Sequence, residues 1–171
     1  AARPTVLITG ANRGIGLELV RQYAARDWKI IATARDAGGA TDLQALAKAD
    51  PDITIEQLDV TDHAGVDALA TRYKDQPIDV LLSNAAKTPR YMSAMKGAAT
   101  IDYEEARNSF EINALGPAKL AAAFLPHVQK SGQKKIAVIS SKAGSFAEGP
   151  KMSMMYEYRT SKAALNMIVH T

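Results

Sequence analysis

The sequence predicts an α/β fold, a doubly wound parallel sheet of Rossmann type with helices on both faces. Three observations predict it. Short apolar runs alternate with amphipathic stretches along the 171 residues. The first four are short apolar runs rather than strict alternations, as a sheet covered on both faces requires. A glycine-rich turn joins the first run to the first amphipathic stretch.

In order, residues 5–9 are β-branched and apolar and read as the first strand, followed by glycines and an amphipathic helix over residues 15–26. Residues 29–34 read as the second strand, 43–49 as a helix with Asp42 as its N-cap, and 53–58 as the third strand. A helix follows over 64–74, then a short buried strand over 80–83. Residues 86–100 have little periodicity and read as a long loop of the kind that shapes ligand sites. A long helical stretch covers 102–130, the fifth strand 136–140, and a last helix runs from about residue 155. No repeat or linker interrupts this order, so residues 1–171 read as one domain. No strand follows the last helix to pack it back onto the sheet, and the expectation is a domain lacking its last strands, C-terminally incomplete.

Composition narrows the functional classes. The chain is 47% hydrophobic and 23% charged, ordinary for a globular protein, and has no cysteine, which excludes disulfides and thiolate metal sites. Absence of disulfides is compatible with a cytoplasmic protein, the expected location. The net charge of +3 comes from scattered Lys and Arg, with only Lys134 and Lys135 adjacent, so no nucleic-acid stripe is expected. No segment approaches the ~20 apolar residues of a membrane span, and the N-terminal residues do not read as a signal peptide. His63, His127 and His170 share no ligand spacing, and no metal is expected.

The turn is Thr9-Gly10-Ala11-Asn12-Arg13-Gly14-Ile15-Gly16. Strand, tight glycine turn and helix together make a pyrophosphate site. Gly10 permits the sharp turn, Gly14 removes a side chain where backbone approaches the ligand, and Gly16 lets helix pack closely on strand. The helix N-terminus offers free N–H groups and partial positive charge. The spacing is G-x-x-x-G-x-G, neither the G-x-G-x-x-G fingerprint nor a P-loop.

T-G-x-x-x-G-I-G after a first strand resembles the cofactor motif of the short-chain dehydrogenase/reductase family. The resemblance implies a nicotinamide dinucleotide bound by Gly10, Asn12, Arg13, Gly14, Ile15 and Gly16, and a hydride-transfer reaction. NAD-binding folds place an acid at the end of the second strand, on the ribose 2′-OH. Here Ala34 is followed by Arg35, leaving room for a 2′-phosphate and a charge to neutralise it, and Arg13 is a second candidate for that phosphate. NADP(H) is therefore expected over NAD(H). Asp36 is the complication, because a shift of one residue makes it the NAD-type acid. The resemblance also places Asp59 and Val60 in the adenine pocket, with a strand-ending carboxylate or a helix cap as the alternative for Asp59. Ser83-Asn84-Ala85-Ala86 resembles the family's Asn-Asn-Ala-Gly, assigning Asn84 and Ala85 to the cofactor. It departs at Ser83 and at Ala86, which adds a methyl group where backbone usually packs against the cofactor.

Of the six tyrosines only Tyr158 has a lysine four residues on, Lys162. One helical turn puts the two side chains on one face, and an ammonium beside a phenol favours the phenolate. In the family this pair is catalytic, with the lysine also holding the nicotinamide ribose. The resemblance matches a substrate-orienting serine to Ser141, with Ser140 as the alternative, and a helix-disturbing, water-holding asparagine to Asn113. The expected reaction is hydride transfer between NADP(H) and a carbonyl or alcohol, with Tyr158 exchanging the proton. The string from Tyr156 to Asn166 resembles the branch of C-factor-like proteins and Sniffer-type carbonyl reductases. The family further implies a homodimer or homotetramer through the last two long helices, whose apolar Ala163, Leu165, Met167 and Ile168 need a cover. Met92, Met95, Met152, Met154 and Met155 are candidates for an apolar substrate pocket or for ordinary gap-filling. Two rivals remain: an NADP(H)-binding sensor or signalling module with little turnover, and a Rossmann-like methyltransferase, which the Tyr158–Lys162 pair and the Ser141 context disfavour.

Overall fold

The first strand is buried along its whole length, and the rest of the sheet is built outward from it. A computed structural model describes residues 3–89 and 97–171. Its contacts divide into two compact units, Ala1–Ala85 with Lys119–Ile139, and Ala86–Ala118 with Ser140–Thr171.

The first unit carries five parallel strands in the order β3-β2-β1-β4-β5: β1 (Thr5–Ile8), β2 (Lys29–Ala34), β3 (Ile53–Gln57), β4 (Val80–Ser83) and β5 (Lys135–Val138). Consecutive residues Val6, Leu7 and Ile8 are buried, as are Leu81 and Leu82, so both faces of the sheet are covered at its centre. The expectation of two covered faces fails at the outer strands, where only Ile53 of β3 is buried and Lys135, Ile136 and Ala137 of β5 are exposed. Helices α1 (Gly14–Ala24), α2 (Thr41–Ala49) and α3 (His63–Arg72) make the crossovers. Leu17 and Val20 of α1 and Leu43 of α2 pack with Val6, Ile8, Ile30, Ala32, Val80 and Leu82 in one core. The fold is the expected doubly wound, Rossmann-type sheet flanked by helices.

Strand order reverses between β1 and β4, and in such sheets ligands bind beyond the strands' carboxyl ends at that point. At the opposite end, Asp79 fixes the register. Its carboxylate accepts from the N–H groups of Thr5 at 2.9 Å, Gly132 at 3.1 Å and Gln133 at 3.2 Å. Two local expectations change. Asp42 lies inside the first turn of α2 and residue 40 stands at the cap position, because the Asp36–Gly39 turn starts the helix early. The fifth strand begins and ends earlier than expected, so Ser140 and Ser141 lie beyond it.

The second unit is helical. Asp102 caps α4 (Tyr103–Phe110), accepting from the Glu105 N–H at 3.0 Å. A π-helical turn, Glu111–Leu115, leads into α5 (Gly116–Gln129), whose residues from Lys119 belong to the first unit. The cause of the widened turn is legible at Pro117. It has no N–H to give the carbonyl four residues back, that of Asn113, and the Gly116 N–H reaches five residues back to Glu111. A short 3-10 turn, Lys142–Gly144, and α6 (Tyr156–His170) complete the unit. The N-cap of α6, Met155, is left-handed at φ 52°. Met92 and Met95 lie outside the described residues, as does part of the 86–100 loop. No described helix is long and apolar enough to cross a membrane.

Candidate active site

In the first unit, backbone shape makes the candidate cofactor site. Gly10 and Gly14 both have positive φ, 65° and 54°, a region that side chains disfavour. Gly14 therefore has a conformational reason beyond the open approach expected of it, while a Cβ there would meet nothing within 4 Å, which keeps its outer side clear. A Cβ on Gly16 would stand 2.2 Å from the Gly10 carbonyl oxygen and 2.6 Å from Asn84 Nδ2, so the helix start touches the turn itself. No side chain caps α1 and no acid lies in its first turn, so its leading N–H groups are available to an anion.

Thr9 and Asn84 join this turn to the end of β4. Thr9 is buried, and its Oγ1 accepts from the N–H groups of Asn84 and Ala85, each at 3.1 Å. Asn84 Nδ2 donates to the carbonyls of Thr9 at 3.0 Å and Gly10 at 3.1 Å. The sequence singled out Asn84 but not Thr9, whose signal was its place at the head of the glycine motif.

Arg35 is the first residue after β2, and both it and Arg13 are exposed. Asp36 is occupied locally, its carboxylate accepting from the Gly39 N–H at 2.9 Å and closing its own turn. Asp59 accepts from the Thr61 N–H at 3.0 Å and the Thr61 hydroxyl at 2.7 Å. Burial pushes its pKa up, but those two hydrogen bonds and the nearby positive charge of Arg35 outweigh burial and hold it below the usual aspartate value. The helix cap at this corner is Asp62, not Asp59.

In the second unit, side-chain networks do the positioning. Asn113 is 1% exposed and sits in the π turn. Its Oδ1 accepts from the Lys87 N–H at 2.7 Å, while Nδ2 donates to the Lys87 carbonyl at 2.9 Å and to Ser161 Oγ at 3.0 Å. The Ser161 hydroxyl donates to the Tyr158 carbonyl at 2.7 Å. Asn113 thus connects the segment after Asn84-Ala85-Ala86 to the first turn of α6, and both of its amide hydrogens have protein partners. Lys87 Nζ pairs with Glu105 at 2.7 Å.

Lys162 Nζ stands 5.8 Å from the centroid of the Tyr158 ring, within range of a cation–π contact. Lys162 is 2% exposed, and burial lowers its pKa from the ordinary lysine value. The two candidate serines differ. The Ser140 hydroxyl donates to Asn166 Oδ1, whereas Ser141 Oγ accepts from the Ala143 N–H at 3.1 Å as the cap of the 3-10 turn. That turn docks on α6 at Gly144, where a Cβ would come within 2.7 Å of the Lys162 backbone. Sequence reasoning passed over Lys87, Ser161 and Asn166, although the last two stand in the string around Tyr158.

The family model for short chain dehydrogenases matches residues 4–171. The chain belongs to the short-chain dehydrogenase family. The carbonyl reductase Sniffer of D. melanogaster superposes with a TM-score of 0.86 at 31% identity, over 97% of this chain and 72% of that one. A carbonyl reductase from Pseudomonas aeruginosa PAO1 in complex with NADP gives 0.82 at 32%, over 98% of this chain and 74% of that one. The C-signal protein of Myxococcus xanthus is 36% identical over 104 residues, 61% of this chain and 60% of that protein. The expected family and branch are therefore found. This short-chain dehydrogenase sequence spans just over half to two thirds of the length of the curated relatives it matches.

Proposed function

We propose that the protein is an NADP(H)-dependent oxidoreductase that interconverts a small carbonyl compound and its alcohol. The observation that carries the reading is the buried Lys162 ammonium beside the Tyr158 ring, on a helix whose first turn is tied to Asn113. The structures similar to it that hold NADP or NADPH support the choice of cofactor.

The residues present suit the cofactor's chemistry. The uncapped start of α1, with Gly10, Asn12, Arg13, Gly14, Ile15 and Gly16, offers N–H donors, and open space beside Gly14, to a pyrophosphate. Arg35, with Arg13, neutralises a 2′-phosphate, and Asp36, engaged in its own turn, does not compete as a ribose acid. Asp59, Val60, Asn84 and Ala85 complete the adenosine and ribose contacts. When bound, the nicotinamide supplies or accepts the hydride.

The chain's own residues manage the proton. Tyr158 Oη donates it to the carbonyl oxygen, or takes it from the alcohol. Lys162 places positive charge where negative charge develops on the phenol. Ser141 Oγ accepts from the Ala143 N–H and keeps its hydrogen to donate to the same substrate oxygen. Asn113 fixes the approach of Lys87 and α6, and its main-chain carbonyl, deprived of an α-helical donor by Pro117, is the group that holds a relay water. Assembly as a homodimer or homotetramer would cover Met167 and Val169 of α6, 62% and 57% exposed, whereas Leu165, expected to need the same cover, is 1% exposed and already packed within the chain. A cytoplasmic location belongs to the same proposal.

The test is reduction of 4-nitrobenzaldehyde followed by NADPH consumption. Replacing Tyr158 by Phe is expected to lower kcat by roughly 100- to 10,000-fold and to leave NADPH affinity unchanged. An undiminished kcat overturns the assignment.

A further inference from the structure

Two adjacent serines follow β5, and one residue of α6 decides which of them keeps a hydroxyl hydrogen to give away. Asn166 lies one helical turn beyond Lys162. Its Nδ2 donates to the Gly144 carbonyl at 3.4 Å, and its Oδ1 accepts from the Ser140 hydroxyl. The orientation of the amide follows from elementary chemistry. A carbonyl oxygen only accepts, so the NH2 end must face Gly144, the oxygen must face Ser140, and Ser140 must be the donor. The Ser140 hydrogen is thereby committed. Ser141, between the two clamped residues, accepts from the Ala143 N–H and retains its hydrogen.

Asn166 therefore grips both ends of the Ser140–Gly144 turn. Two other contacts make the seat definite. Gly144 rests against the backbone of Lys162 and Ala163 without room for a methyl group, and Arg159 Nε reaches the Ala143 carbonyl at 3.4 Å. The Gly144 N–H donates to the Ser141 carbonyl at 3.0 Å, so the turn is also closed internally.

We propose that Asn166 is a positioning residue for Ser141: it clamps the Ser140–Gly144 turn onto α6, occupies the Ser140 hydroxyl, and leaves Ser141 as the serine that orients the substrate carbonyl. This rests on the function proposed above, but the clamp itself is a statement about the turn and can fail separately. Misplacing a substrate-orienting group by about 1 Å can cost on the order of 100-fold in rate. A turn that retains its Gly144 seat should lose less, roughly ten-fold in kcat.

The experiment has two arms on the parent, Asn166→Ala, Ser140→Ala, Ser141→Ala and the Asn166→Ala/Ser141→Ala double variant. The first arm measures amide hydrogen exchange at Ala143 and Gly144, which needs no activity. Faster exchange in Asn166→Ala and in Ser140→Ala, which leaves α6 untouched, is expected, and unchanged exchange in both overturns the clamp. The second arm measures reduction of 4-nitrobenzaldehyde with NADPH. Asn166→Ala is expected to lower kcat about ten-fold with NADPH affinity unchanged, and to have no further effect once Ser141 is alanine, because residues acting as a unit are not additive. An equal ten-fold loss in the Ser141→Ala background marks a merely structural role and overturns the proposal. Full activity in Ser141→Ala instead overturns the function proposed for that serine, whatever the exchange data show.

Discussion

The glycine turn and the tyrosine helix achieve order by opposite means. In the turn, position is set by atoms that are missing: Gly16 has no Cβ because the Gly10 carbonyl would lie 2.2 Å from it, and Gly10 none because the Ala85 backbone would lie 2.8 Å from it. Around α6, position is set by side chains that reach backbone, with Asn113 on Lys87, Ser161 on Tyr158, and Asn166 on Gly144. A site built from absent atoms is written in the sequence as glycines at fixed spacing. A site built from polar clamps is written as ordinary Asn and Ser, which are common in turns and on surfaces for other reasons.

Matched glycine substitutions sharpen this contrast most. Gly16→Ala inserts a methyl group against a carbonyl and an amide, and should cost about 1–3 kcal/mol of stability. NADPH binding should weaken on the order of 100-fold, since about 2.8 kcal/mol corresponds to that ratio. Gly144→Ala inserts one against Lys162 and Ala163. It should leave the NADPH dissociation constant within about two-fold while lowering kcat at least ten-fold, through displacement of Ser141. Titration and steady-state kinetics on the two variants separate the outcomes. If Gly144→Ala weakens NADPH binding as much as Gly16→Ala does, the division of labour between the two regions is wrong.

A smaller effect is expected at Asn113. Alanine there leaves the half-buried Lys87 N–H and carbonyl without the Asn113 partner and removes one of the two hydrogen bonds of the buried Ser161 hydroxyl, at about 1–3 kcal/mol. Urea denaturation reads the stability loss. Because the clamp joins Lys87 to α6, kcat should also fall; a variant as stable and active as the parent would show that the network is incidental.

The smallest effect concerns pH. Burial depresses the pKa of Lys162, so at that site the unfolded chain binds a proton where the folded protein has begun to release it. Stability contributed there rises as pH climbs from the lowered value toward the ordinary 10.5. Relative to Lys162→Met, the parent should therefore gain Tm as pH increases across that window. A constant difference in Tm would show that burial does not penalise the charge.

Much of the fold was legible because the burial of the central strands β1, β2 and β4 is written as short apolar runs; β2 and β4 fall on the residues expected, and α1 begins one residue earlier. The Tyr158–Lys162 pair stood out by its spacing only together with its place after the fifth strand and the family resemblance, and Asn113 by that resemblance and its poor fit to a helix interior. The π turn itself was not foreseen, because its cause lies four residues on, in a proline missing the N–H that the Asn113 carbonyl would use. Thr9, Ser161 and Asn166 escaped notice because a hydroxyl or amide announces a hydrogen bond but not its partner. Their partners are 75, 48 and 26 residues away in the chain, and only the folded structure brings them within reach. The opposite misjudgement occurred at Asp42, where an acid before a helical run suggested a cap and the preceding turn started the helix two residues sooner.

The most direct test of the central claim, that the glycine turn with Arg13 and Arg35 holds NADP(H), is a paired titration with NADPH and NADH followed by nicotinamide fluorescence, on the parent and on Arg35→Ala. Saturable binding that favours NADPH, with the preference reduced at least ten-fold in the variant and NADH affinity unchanged, is the predicted result, since a charge-assisted hydrogen bond contributes about 1.5–3 kcal/mol. Equal affinity for the two cofactors, or an NADPH preference that survives Arg35→Ala intact, would contradict it.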